Sequence, residues 1–295
     1  MDSICNGRTI DGHVDRGRSH HDGNGSDNDA SKQKGTGFGG AQLRHGGRSG
    51  RCGRRGFKVR GTGGADVATL SCPGGVSRLG QVLDENASIF PGDPETSIEI
   101  VATVENDGYL VEAISMASHT GTHLDAPGHF IEGGRTVDQL TAEELVWSAY
   151  VIDVRARMAE EGNDFQLSSD DIHAYQREHG VIPPGSIVIL YTGFGELFGT
   201  PAYEDTIPGF AGEAVEHLFV EHGIKALGTD TFGPDATSDE NFDATYTALV
   251  NDGVVIPGMR NLGSLNVTGD IVMASPVQLR AGSAFQVDPL ACHGR

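Results

Sequence analysis

Two observations place this chain in the α/β class. From about Val76 onward, short apolar segments bounded by Gly, Pro or Asp recur along the chain, and only three stretches carry helical signals. A third observation, a sharp change in composition, sets the first 64 residues apart. The expected architecture is a single α/β domain of about 220 residues with a mixed β-sheet core and more strands than helices. The boundaries are a disordered Gly/Arg/His-rich tail over 1–64 and the folded domain over 65–295.

The tail holds 17 of the 43 glycines, and its few apolar residues follow neither helical nor strand periodicity. Such a segment cannot offset its ordering entropy by burial. Its histidines (His13, His20, His21 and His45) are expected in solvent.

Within the domain, Val76–Leu83, Ser97–Glu105 and Tyr109–Ala117 read as strands, the second as SIEIVATVE with alternating apolar positions. Thr141–Trp147 follows a Thr-x-x-Glu capping box and is expected to be helical. Tyr150–Val154, Ser186–Tyr191, Lys225–Gly228, Val254–Ile256 and Asp270–Ser275 are further strand candidates. Ser168–His179 opens with SSDD, an N-cap followed by acidic residues, and stops before Gly180. Gly212–His222 spaces its apolar residues helically and ends at Gly223.

Charge narrows the possible partners. The chain has 21 Lys+Arg against 41 Asp+Glu, a formal charge of −20, and residues 65–295 carry 9 basic and 35 acidic residues. Lys225 is the only lysine after Lys58. This surface opposes binding to nucleic acid or anionic lipid and suits a protein adapted to concentrated salt. No apolar run reaches the ~18 residues of a membrane helix, and the N-terminus lacks an apolar signal-peptide core. Cys5, Cys52, Cys72 and Cys292 are far apart and suggest no disulfide framework, so a reducing cytoplasm is expected.

Chemistry concentrates in His119-Thr-Gly-Thr-His123-Leu-Asp125-Ala-Pro-Gly-His129-Phe, three histidines and an aspartate within 11 residues. Gly121, Pro127 and Gly128 argue against a helix, so a turn leading into a short extended piece is expected. In an extended piece His123 and Asp125 share a side, and His119 arrives from the turn. Two imidazoles and a carboxylate suit one borderline divalent ion, zinc, manganese or iron, that acidifies water and polarises a carbonyl. His129, beyond the Pro-Gly turn, is then free to move a proton.

His119, Gly121, Thr122, His123, Asp125, Pro127 and His129 together resemble the HxGTHxDxPxH signature of the metal-dependent cyclase family, which includes bacterial kynurenine formamidases and isatin hydrolases. Ile89-Phe-Pro-Gly-Asp-Pro94 and Gly228-Thr-Asp-Thr231 are similar to two further segments of that family. The resemblance spans about residues 76–290 and implies a swivelling β/β/α fold, a zinc or manganese ion, and hydrolysis of amide or related acyl bonds. It also implies that His119, His123 and Asp125 are metal ligands and that His129 is a catalytic acid/base or a ligand to a second metal. Phe90 and Phe130 are expected in the pocket wall.

Formamidases of the family complete a second metal site with a later His and Glu. Here Thr245 or Tyr246 stands near the first position and Pro257 or Gly258 near the second, so one metal ion is expected rather than two. Asp230 is open between orienting a ligand histidine and capping a turn. Asp235, Asp239, Glu240 and Asp243 read as solvated surface, and His173, His179, His217 and His222 as structural.

The expected function is metal-dependent hydrolysis of a small amide, imide or lactone, by a homo-oligomer with a small-molecule substrate. The alternatives are arylformamidase activity on N-formylkynurenine, in tryptophan catabolism, and a non-catalytic metal-stabilised binding protein.

Overall fold

The computed structural model describes residues 71–294. The tail assigned to 1–64 lies outside the described residues.

Nine strands form one sheet in the order Val76–Arg78, Leu290–Cys292, Thr268–Met273, Val146–Asp153, Ile187–Tyr191, Ala226–Thr229, Val254–Ile256, His123–Asp125 and Ala284–Gln286. The four central strands, from Val146–Asp153 to Val254–Ile256, run parallel, while both flanks are antiparallel. Parallel strands covered on both faces become continuous apolar runs. Ile187, Val188, Ile189 and Leu190 are accordingly all fully buried. Ile187 and Ile189 point into one core layer with Trp147 and Met259, and Val188 and Leu190 into another with Ile172, Leu218 and Leu249.

The second layer is closed by Ser169–His179, Gly212–Glu216 and Asp243–Val250. Ser168 caps the first of these, its hydroxyl accepting from the Asp171 amide, and Gly180 ends it. The Gly212 helix continues as a π-helical turn over His217–Glu221. The helices Arg155–Glu161 and Asp243–Val250 carried no strong sequence signal.

Three expectations change. Thr141–Trp147 is not a helix: the capping box of Thr141 and Glu144 forms, but it closes only a 3-10 turn over Ala142–Leu145. The strand Val146–Asp153 then begins, because Trp147, Ala149 and Val151 alternate into the core and pairing is available on both sides. The strand expected to reach Glu105 stops at Ala102, where Thr103 caps the short helix Val104–Asp107 with its hydroxyl. The cysteines are not all free. Cys72 and Cys292 form a disulfide across 220 residues of sequence, because Val76–Arg78 pairs with Leu290–Cys292 and brings the two ends of the domain together. Linear spacing carries no trace of that pairing.

Candidate active site

The His123–Asp125 strand is wholly buried between two neighbours, with Asp125 opposite both Val255 and Ala284 and His123 opposite Gln286. The two-residue period of a strand turns His123 and Asp125 to one side, as expected. Ahead of it the chain bends at Gly121, whose φ of +67° and close approach to the Leu83 side chain leave no room for a Cβ. Thr122 fastens the bend: its hydroxyl donates to Gly258 O at 2.5 Å and accepts from the Gln81 amide at 2.8 Å. Gln286 donates to Ala117 O at 2.8 Å and Thr120 O at 3.2 Å, closing the loop from the other side.

This loop delivers His119 back over the strand. Its Nδ1 lies 2.9 Å from Asp125 Oδ1, and His123 Nε2 lies 3.3 Å from the same oxygen. The far nitrogens are also engaged: His123 Nδ1 donates to Gly121 O at 2.9 Å, and His119 Nε2 is 3.1 Å from Ser283 Oγ. A carbonyl only accepts, so His123 carries a proton on Nδ1, and its Nε2 is the atom that faces Asp125. Asp125 Oδ1, though buried, has no hydrogen bond of acceptable geometry. His119, Asp125 and His129 each offer a ligand atom, all within 4.8 Å of one another; this grouping leaves out His123, expected as a ligand, and takes in His129, expected to move a proton. Electron-rich atoms converging around the buried Asp125, with His119 and His123 held from behind by Ser283 and Gly121 O, fit a cation.

The electrostatics agree. Burial opposes ionisation of Asp125, yet His123 and His119 hold its carboxyl well below the usual carboxylate range. Burial likewise opposes charging His123, but Asp125 overrides it and raises the imidazole above its ordinary value. A lowered carboxyl beside a raised imidazole is a carboxylate–imidazolium pair sharing a proton. His129, at the end of the 3-10 turn Pro127–His129, stacks on His119 with ring centroids 4.1 Å apart. Burial pushes its imidazole below the usual range, against the pull of Asp125 and with the repulsion of His119 and His123.

These residues open into a cavity of about 570 Å³. Phe90 and Phe130 line it, as expected, together with Phe232 and Phe242, and the four rings meet edge to face at 5.9–6.2 Å. Aromatic walls with a few polar groups at one end form a ligand-sized site.

One sequence reading needs correction, and one left open is resolved. Asp235 and Asp239 are buried rather than solvated, and with Glu240 they line the cavity; Asp243 lies outside its lining. Asp235 accepts from the Thr245 amide at 2.9 Å and from the Thr245 hydroxyl. Burial pushes its carboxyl up to about 6, against Thr245 and with help from Asp239. An acidic composition concealed this, because nothing local distinguishes an inward carboxylate from an outward one. Asp230 is fully buried and caps a turn: it accepts from Thr192 N and Oγ1, Gly193 N and Gly195 N. It makes no hydrogen bond to a histidine among the described residues.

Thr245, Tyr246, Pro257 and Gly258, weighed in the sequence as stand-ins for a second His and Glu, bring neither an imidazole nor a carboxylate. Thr245 is committed to Asp235 and Tyr246 is half exposed. Gly258, with φ of +65°, lies so close to the ligand loop that a Cβ would meet Gly121 O at 2.7 Å. Ser283 and Gln286 escaped the sequence reading entirely, since they lie more than 160 residues from the atoms they hold and no local signal marks them.

The chain matches the family model described as "Putative cyclase" over residues 77–236, a span that includes all four candidate site residues. It is 27% identical over 244 residues to the isatin hydrolase of Roseibium aggregatum, covering 77% of this chain and 92% of that one. It is 28% identical over 179 residues to the kynurenine formamidase of Bacillus mycoides, covering 60% and 78%. The structure resembles isatin hydrolase A from Labrenzia aggregata bound to benzyl benzoate, with TM-score 0.69 and 28% identity over 75% of this chain and 94% of that one.

Proposed function

The chain belongs to the cyclase family, and from that premise we propose that it is a metal-dependent hydrolase of a small aromatic amide, imide or lactone. The observation that carries the reading is the convergence of His119 Nδ1 and His123 Nε2 on the unpartnered Asp125 Oδ1 at the floor of an aromatic-walled cavity. His119, His123 and Asp125 would hold one divalent ion, zinc or manganese. Bound there, the ion would supply Lewis acidity for a carbonyl oxygen and make a water molecule more acidic.

The protein's own residues supply the rest. Ser283 and Gly121 O hold the two imidazoles in orientation from behind. Burial, with His119 and His123, lowers the His129 pKa and favours its neutral form, so its ring nitrogen can accept a proton from the attacking water and pass it to the leaving amine or alkoxide. Phe90, Phe130, Phe232 and Phe242 give the cavity an apolar aromatic wall that favours a flat aromatic substrate. The named relatives hydrolyse isatin and formylkynurenine, both aromatic and both carrying a scissile C–N bond.

The absence of a carboxylate at Pro257 and Gly258 favours a cyclic amide over formylkynurenine. The test is hydrolysis of isatin, other cyclic amides, aryl lactones and N-formylkynurenine by the native, chelated and metal-restored protein. Metal-restored opening of a cyclic substrate supports the reading. Formate release alone moves the protein to the arylformamidases of tryptophan catabolism. No turnover of any substrate by metal-replete protein leaves the binding role.

A homo-oligomer is proposed from the hairpin of Ser97–Ala102 and Val111–Ser115, which leaves Ile100, Val101, Leu110 and Ile114 more than half exposed. Light scattering across concentrations decides it, and a monomer throughout would refute it. Among the described residues no helix is long and apolar enough to cross a membrane. A cytoplasmic location and adaptation to concentrated salt remain proposals from composition. The Cys72–Cys292 disulfide opposes the first, and thiol trapping in intact cells tests it.

A further inference from the structure

A cluster of three histidines lies outside the cavity. His173 is on the Ser169–His179 helix, and His217 and His222 bracket the π-helical turn His217–Glu221. In an α-helix residues five apart diverge by more than a full turn. Here the His222 amide donates to His217 O at 3.3 Å, and this π-type bond aligns the two side chains. Their Nε2 atoms stand 3.3 Å apart. The His173 ring lies 4.6 Å from that of His217. None of the three lines the cavity.

Their hydrogen-bond partners determine what faces what. Gln176 Oε1 accepts from the Ile182 amide at 3.1 Å, which fixes the amide and points its Nε2 at His222 Nε2, 3.1 Å away. His222 Nε2 must therefore carry a lone pair. His217 Nδ1 lies 3.3 Å from Glu221 Oε2. With the His217 proton on Nε2, His217 donates to His222 across the 3.3 Å gap; with it on Nδ1, toward Glu221, both Nε2 lone pairs face a common point that a cation can occupy. Zinc–nitrogen bonds of about 2.0–2.1 Å in tetrahedral geometry put neighbouring nitrogens about 3.3–3.4 Å apart, and this pair already stands at that separation.

We propose that His217 and His222, with His173 swung in as a third ligand, form a surface site for a borderline divalent ion of the zinc, copper or nickel class. Glu221 orients His217 from behind, and the Gln176 amide gives way as the ion takes the His222 lone pair. The bound ion joins the Ser169–His179 helix to the π turn and stabilises the packing of these two elements. The site is independent of the proposed hydrolase centre.

The experiment compares native protein, a His217→Gln/His222→Gln double variant and a His123→Ala variant in equilibrium dialysis against zinc alone, with thermal unfolding of each. Native protein should bind one equivalent more than the double variant. Zinc should raise the melting temperature of the His123→Ala protein but add nothing at this face in the double variant. Copper bound to His123→Ala protein should show coupling to at least two nitrogens in its electron paramagnetic resonance spectrum, and that coupling should be lost when the double substitution is added. Equal stoichiometry in native and double-variant protein, or saturation of the extra equivalent only at millimolar zinc, would overturn the proposal and leave a shared proton between the two rings. If the double variant does not unfold cooperatively, His222→Asn alone carries the same comparison.

Discussion

Gly258 gives the sharpest test of how the fold holds the ligand loop. It has φ of +65°, and a Cβ there would sit 2.7 Å from Gly121 O, 3.0 Å from Gly121 C and 3.3 Å from Thr122 N. Substituting alanine adds two penalties. The left-handed conformation costs about 1–2 kcal/mol for a residue with a Cβ. The contact with Gly121 O lies well inside normal carbon–oxygen separation and involves backbone on both sides, so overpacking adds about 1–3 kcal/mol. Gly108 supplies the reference: it is also left-handed, at φ 82° and ψ 1°, but a Cβ there meets nothing within 4 Å. Urea unfolding should therefore show Gly258→Ala losing about 1–3 kcal/mol more than Gly108→Ala. Because Gly121 and Thr122 lie between His119 and His123, the displaced loop should also loosen the metal, read as earlier loss to a chelator. If the two variants unfold alike and hold metal equally well, the loop is not braced by Gly258 and the account of its geometry is wrong.

Other expectations follow from particular contacts. Ser283→Ala frees the far side of His119 with little change in volume and should weaken metal binding about 10–100-fold in chelator competition; unchanged affinity would remove His119 from the ligand set. Asp270 is fully buried and accepts from Asn266 N and Nδ2, Gly294 N and His293 Nδ1 at 2.8–2.9 Å. Burial opposes its ionisation, but His293 and Asn266 outweigh it and lower its pKa, so its contribution to stability is complete above the unfolded value near 3.8 and is lost as pH falls through the folded one. Asp270→Asn should cost about 1–3 kcal/mol at pH 7 and flatten the stability curve below pH ~4; an unaltered acid limb would refute the assignment. Replacing Cys72 and Cys292 together by serine should lower stability by about 2–5 kcal/mol, checked by urea unfolding under non-reducing conditions, whereas unchanged stability would mean the bond does not constrain the unfolded chain.

What was legible in the sequence is what is local. The His119–His129 segment reads directly because its glycine, proline and alternating positions force a turn and then an extended piece, and His123 and Asp125 do share a side. The buried strand Ile187–Tyr191 and the capped helix Ser169–His179 are legible for the same reason. Hidden features depend on pairing across the sheet. Trp147 joins a strand because neighbours flank it, although a capping box precedes it. Ser283 meets His119 because Ala284–Gln286 lies beside His123–Asp125. Cys72 reaches Cys292 because the first and last strands are adjacent. Asp235 looked like one more surface acid until the cavity placed Thr245 beside it.

The central claim is a single metal ion held by His119, His123 and Asp125, and elemental analysis tests it most directly. The measurement is metal content of native protein purified in high salt, beside His123→Ala, both with the His217→Gln/His222→Gln background to remove the proposed surface site. The account predicts about one equivalent, lost on His123→Ala. Two equivalents, or one that persists without His123, would contradict it.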